Sequence, residues 1–287
     1  FIGNFVAVVL MKLLFNVSLT DITLLTQNPT AQPNGKVAIN LFQGITHLFA
    51  FTLGPIAFLY VSNRQPGTYL SPQKYVPFSL VALSALLILF IMPANSWVID
   101  WNANVQFPEA LRAFEAWAKA KEETLKVLTN QLTIFDNPGQ FVFGMFVFGL
   151  IPAIGEEIVF RGLLQRSLHR VFGNVHVAVW VAAFIFGAIH MQFYGFIPRM
   201  LLGAILGYLY AWSGNIWVPI AGHFMNNGFT VFVLYLQQRK LVNFQIESTA
   251  AMPLSSTLIS LTISILTLIY LYRSYKSLPL KQSSELS

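Results

Sequence analysis

The stretch Tyr75 to Met92 contains no charged side chain, and several other runs in the chain come close to that condition. A bilayer core requires roughly 20 consecutive apolar residues in a helix, so repeated runs of this kind restrict the chain to a polytopic helical bundle. A transmembrane β-barrel is excluded because the runs are continuous, not alternating. The composition agrees: 55% of the 287 residues are hydrophobic, 10% are charged, and the mean hydropathy is +0.62. Soluble domains are about 25% charged. The net charge of +6 is spread over loops and helix ends, which speaks for membrane topology and not for nucleic-acid binding. With no cysteine, thiol catalysis and disulfides are excluded.

The pattern predicts an all-α fold of about eight membrane helices in a single domain, 1–287, plus one amphipathic helix outside the hydrocarbon. The spans are expected at Phe1 to Leu19, Val37 to Val61, Tyr75 to Met92 (stopping before Pro93), Phe141 to Arg170, Val175 to Met191, Phe196 to Trp212, Ile216 to Leu236 and Thr257 to Tyr272. The fourth is too long for one simple crossing, and Pro152 and Gly155 predict a kink in it. Gly203-x-x-x-Gly207 in the sixth reads as a helix-packing surface. Between Pro108 and Leu132, apolar residues recur at three-and-four spacing while Glu115/Lys119 and Glu122/Lys126 stand at i,i+4. That helix reads as a cap on the bundle, an interfacial helix or a partner-binding element. Counting Lys and Arg in short loops places Arg64, Lys74, Arg166, Arg170, Arg273, Lys276 and Lys281 on one side and Lys36, Arg199, Arg239 and Lys240 on the other. The richer side is expected to be cytoplasmic, with 108–132 outside.

Against this apolar background, Ala153 to Arg170 places two adjacent carboxylates and an arginine within a membrane helix. Each costs roughly 2.5 to 3.5 kcal/mol on insertion scales, so such groups normally face a bundle interior and find partners there. Glu157 and Arg161 stand at i,i+4 with the acid first, the favourable order for an ion pair. Glu156 points about 100° away around the helix and has no cation within reach on it, which leaves it free for chemistry.

Glu156 and His190 lie at similar sequence distances from the Gly173-Asn174 turn, so an antiparallel helix pair brings them to one depth, roughly 20 Å from that turn at 1.5 Å per residue. His223, measured from its own short loop, reaches a comparable depth, and Asn227 shares its face at i+4. One carboxylate, two imidazoles and a carboxamide make a set suited to water-activated acyl transfer: the acid deprotonates water, a histidine orients it, and neutral donors receive the oxyanion. Taken singly, each residue also reads as structural, as a satisfied core histidine, an interhelical polar contact or an ion pair. His47 stands outside the set and reads as structural; His169 and His176 sit at the hairpin end and read as solvated.

Glu156-Glu157-x-x-x-Arg161, Phe186-x-x-x-His190 and His223-x-x-x-Asn227 resemble, in order and on separate helices, the three motifs of the CAAX protease and bacteriocin-processing family, which includes the type II CAAX prenyl endopeptidases. The resemblance covers about 141–236. It implies an intramembrane endopeptidase, integral to a prokaryotic cytoplasmic membrane, with its chamber open toward the cytosol. By that likeness Glu156 and His190 activate water, His223 and Asn227 form the oxyanion site, and Glu157, Arg161 and Phe186 support them. The implied substrate is a membrane-associated peptide or protein, prenylated or otherwise anchored. The family's description as metalloproteases raises zinc as an alternative. A zincin places two histidines at i,i+4, whereas here the partner of His223 is Asn227, a poor zinc ligand, so no metal or other cofactor is expected. An ion-coupled transporter and a catalytically idle scaffold or immunity protein are the competing classes. The first should show inverted repeats and the second a damaged motif, and neither sign is present.

Overall fold

The computed structural model describes residues 1–73, 75–246 and 248–278; Lys74 and Lys281 of the charge count lie outside the described residues. The described chain is helical throughout its ordered elements, in the order α1 Ile2–Phe15, α2 Leu19–Gln27, α3 Gly35–Val61, α4 Phe78–Ala103, α5 Arg112–Leu132, α6 Pro138–Phe172, α7 Val175–Ala188, α8 Phe196–Ser213, α9 Trp217–Gln238 and α10 Leu254–Lys276. Five of these helices are long and apolar enough to cross a membrane, or six if α1 and α2 count as one bent span. The polytopic helical bundle expected from the apolar runs is therefore what the chain forms.

The helix boundaries follow local chemistry. Asn137 caps α6 by accepting from the Gln140 N–H, with Pro138 at the first position where no donor is needed. Gly173 ends the helix at φ 64°, and Asn174 caps α7 by accepting from the His176 and Val177 N–H groups. The first span departs from the sequence reading. Asn16 adopts a left-handed conformation, Ser18 and Asp21 form a capping box, and α2 leaves α1 at 90°.

Two prolines are carried through helices that the sequence pattern would stop or bend. In α4 the helix continues past Pro93 because Ser260 of α10 inserts at that turn, accepting from the Ala94 N–H at 3.2 Å and donating to Phe90 O at 2.5 Å. In α6 the helix runs on through Pro152 and contains π-helical turns at Met145–Leu150 and Ile158–Gln165, on either side of the two glutamates. Such turns add a residue per turn and redirect the side chains around them.

Packing sets where the site lies. The helices α7 and α8 run together along a small-residue seam, where Gly203 faces Ala183 and Gly207 faces Val179. The α4, α8, α9 and α10 helices share an apolar cluster of Leu87, Ile88, Leu206, Leu209, Val218 and Leu271. At the other side α1, α2 and α3 enclose Met11, Leu25 and Ile39, with Leu132 of α5 closing that cluster. Helix α5 is thus packed on one end of the bundle, the capping arrangement among the alternatives. Its Glu115 pairs with Lys119 at 2.6 Å, and its Glu122 accepts the Tyr194 N–H at 3.0 Å.

Candidate active site

The two glutamates of α6 have opposite surroundings. Glu157 is fully buried, and its Oε1 accepts from Arg161 Nη1 at 2.7 Å and from His223 Nδ1 at 2.7 Å. The Arg161 guanidinium donates its other arm to Gly203 O at 2.9 Å and lies 4.7 Å from the centre of the Phe186 ring. One turn later Gln165 donates to Gly207 O at 3.0 Å. The Gly203-x-x-x-Gly207 surface therefore does more than admit a neighbouring helix: a Cβ at Gly207 would lie 2.8 Å from Gln165 Oε1.

Glu156 keeps 12% of its side chain exposed. Its Oε1 lies 3.2 Å from Nε2 of His47, and its Oε2 lies 3.9 Å from Nε2 of His223. The second distance is too long for a direct hydrogen bond and suits a water touching both groups. His47, read from sequence as standing outside the set, is thus in contact with the carboxylate assigned to chemistry, and its placement apart from the set is corrected. Depth arithmetic worked for helices joined by short turns; α3 reaches the site through tertiary packing that sequence spacing does not report. The available signal was a lone imidazole in an apolar span, which requires a partner.

Each of the other predicted residues falls around these carboxylates. Phe186 is buried, with its ring 5.2 Å from that of His190 and 5.9 Å from that of His223, both edge-on. His190, just past the end of α7, donates through Nδ1 to Phe186 O at 2.8 Å, so its bond is not to Glu156, although it lies within electrostatic reach of Glu156 and His223. Asn227 is held at both ends of its carboxamide: Nδ2 donates to Phe148 O at 3.3 Å and Oδ1 accepts from Asn226 at 3.0 Å. Phe148 O is the carbonyl that an α-helix would pair with residue 152, and Pro152 has no N–H to offer. The proline in the first motif region thereby leaves an acceptor for the third motif's asparagine. Asn226 and this carbonyl carried no sequence signal.

Among the described residues no three His, Cys, Asp or Glu side chains are arranged as a metal-ligand group. His223 Nδ1 and His190 Nδ1 are committed to Glu157 and to a backbone carbonyl, which leaves Nε2 as the open nitrogen of each ring.

A cavity of about 500 Å³ lies between α5 and the start of α8, lined by Lys119, Glu122, Gln192, Tyr194 and Arg199. Arg199 is within electrostatic reach of both Glu156 and His190. Tyr194, four residues beyond His190, gives its N–H to Glu122, so the loop after α7 packs against α5.

Comparison with known proteins adds to this geometry. Residues 138–229 match the family model described as type II CAAX prenyl endopeptidase Rce1-like. The chain is 30% identical over 184 residues to the membrane-embedded CAAX protease MroQ of Staphylococcus aureus, covering 62% of this chain and 64% of that one. It is 29% identical over 110 residues to the putative membrane peptidase YdiL of Bacillus subtilis, covering 38% and 43%, and 35% identical over 80 residues to YpbD of the same organism, covering 26% and 38%. The chain thus spans less than two thirds of the length of each of these relatives. No solved structure matches it. All three motifs fall within the region 138–229 that is similar to the type II CAAX prenyl endopeptidase Rce1-like family.

Proposed function

We propose that the protein is an intramembrane endopeptidase in which Glu156 activates water against a peptide bond of a membrane-associated peptide or protein, without a metal. The observation that carries this reading is the division of labour between neighbours: Glu157 is sealed between Arg161 and His223, while Glu156 is partly open with one oxygen turned toward a gap that a water can fill. Water attacks the scissile carbonyl carbon as Glu156 takes its proton. The oxyanion is received by Asn227, whose second N–H is free to donate, and by Nε2–H of His223. For His223 to donate there while giving Nδ1–H to Glu157, it must carry both protons. Glu156, Glu157, Arg161 and His223 then sum to zero charge, a balance that a buried cluster favours. Collapse breaks the C–N bond, and the proton held by Glu156 passes to the leaving amine. His190, anchored through Nδ1, presents Nε2 as an acceptor that orients the water.

The likeness to the relative named a CAAX protease supports a substrate anchored in the membrane, prenylated or otherwise, cut near its C-terminus. We place the chamber opening, and α5 with it, on the cytoplasmic side. Lys36, Arg239 and Lys240 share that end with the four bases of α5, as the Lys36–Asp136 pair and the Arg239 contact with Asp136 O show. This offsets the loop charges at the opposite end. The experiment for the activity compares protein termini in host membranes carrying the wild-type chain or Glu156→Gln. New termini in the wild type alone are expected; identical sets of termini would contradict the reading. For orientation, a cysteine replacing Glu122 should resist an impermeant external reagent while one replacing Arg64 is labelled, and the reverse pattern would place α5 outside.

A further inference from the structure

We propose that His47 is the residue that positions Glu156, so that the site includes a side chain from α3, outside the region 138–229 that carries the motifs. This rests on the reading of Glu156 as the base.

Three local features bring the imidazole there. A π-helical turn, Leu48–Leu53, starts immediately after His47 and rotates the following residues relative to an α-helical path. Phe51, within that turn, stacks on the imidazole with ring centroids 4.4 Å apart and planes 13° apart, which fixes the ring's plane. Opposite, Gly155 of α6 has no Cβ, and one placed there would lie 2.7 Å from Phe51 Cβ and 3.2 Å from His47 Cε1. The residue before Glu156 must therefore be glycine for α3 to approach this closely. A π turn, an aromatic clamp and a glycine that only this approach requires all converge on one 3.2 Å contact.

The imidazole's own hydrogen bonding indicates the direction of the bond. His47 Nδ1 is buried with no hydrogen-bond partner among the described residues. A ring protonated on both nitrogens would bury an unsatisfied N–H, whereas a neutral ring with its proton on Nε2 leaves only a bare lone pair there. His47 thus donates to Glu156 Oε1. The donation holds the carboxylate rotamer and occupies one oxygen, which leaves Oε2, on the side of His223, to receive the proton from water. The other charged or titratable groups around Glu156 have separate duties. On its own helix Arg161 and Glu157 pair with each other; His223 of α9 is tied to Glu157, His190 after α7 to Phe186 O, and Arg199 of α8 to Gln192. No other side chain in the described structure is seen to hydrogen-bond Glu156 directly.

The test uses the full chain in detergent and two variants. His47→Phe keeps a ring to stack on Phe51 and removes the donor; His47→Gln keeps an N–H close to the Nε2 position. Peptide-cleavage kcat and KM are measured with the melting temperature. The phenylalanine variant should lose about 10- to 100-fold in kcat, since misplacing a reacting group by about 1 Å costs on the order of 100-fold, with KM and melting temperature little changed. The glutamine variant should recover most of that loss. A wild-type kcat for His47→Phe, or equal losses in both variants, would overturn the assignment, as would a loss that tracks the melting temperature. Glu156→Gln is run alongside: if it cleaves, the reading of Glu156 as base fails, and if it is inactive while His47→Phe is normal, only the role of His47 fails.

Discussion

The two adjacent glutamates of α6 share a helix, a depth and a chemical type, yet the fold gives them different tasks. Glu157 faces α8 and α9 and is closed off by Arg161 and His223, with Gly203 O taking the other arm of the guanidinium. Glu156 faces α3 and retains access, held by a single histidine. The difference teaches that in an apolar bundle a charge is made structural by surrounding it with counter-charge and donors on several helices. It is kept reactive by giving it one anchor and leaving the carboxylate partly exposed.

The largest effect is expected where the closed side is broken. Arg161→Met removes the cation from a buried pair, which typically costs about 3 to 5 kcal/mol, and should lower melting temperature and yield sharply. A variant as stable as the wild type would show that Glu157 does not depend on Arg161. On the open side, Asn227→Ala should lower kcat by roughly 100- to 1000-fold, the usual loss for one oxyanion donor, with the melting temperature nearly unchanged. A loss of stability without a selective loss of rate would move Asn227 to the structural half of the comparison. The smallest effect concerns the boundary between the halves. Gly155→Ala forces a Cβ against Phe51, and overpacking of this kind costs roughly 1 to 3 kcal/mol. Because the strain would push α3 away from α6, the accompanying rate loss should resemble that of His47→Phe, measured on the same peptide. An alanine variant that loses stability and keeps its full rate would separate the glycine from the chemistry.

Much of this was readable in the sequence because it is local. The i,i+4 order of Glu157 and Arg161, the Asn174 cap and the apolar runs act within one helix or across one short turn, where spacing determines geometry. The same spacing placed His223 beside the glutamates. What was not readable depends on contacts between distant segments. His47 reaches Glu156 across 109 residues, Ser260 mends α4 at Pro93 across more than 160, and the carbonyl released by Pro152 is taken up by Asn227. The π-helical turns on either side of the glutamates, and the one after His47, change side-chain direction without any marker in the apolar pattern. Reading Pro93 as a stop failed for the same reason: a serine from α10 bridges backbone groups at that turn.

The division between Glu156 and Glu157 is tested most directly by purifying Glu156→Gln and Glu157→Gln in the same detergent and measuring melting temperature and peptide cleavage for both. The account predicts that Glu156→Gln is inactive and at least as stable as the wild type, because it loses the base and keeps the shape. It predicts that Glu157→Gln melts at a distinctly lower temperature, because Arg161 and His223 lose their shared carboxylate. Cleavage by Glu156→Gln, or a fully stable but inactive Glu157→Gln, would contradict it and assign the base to the neighbouring residue.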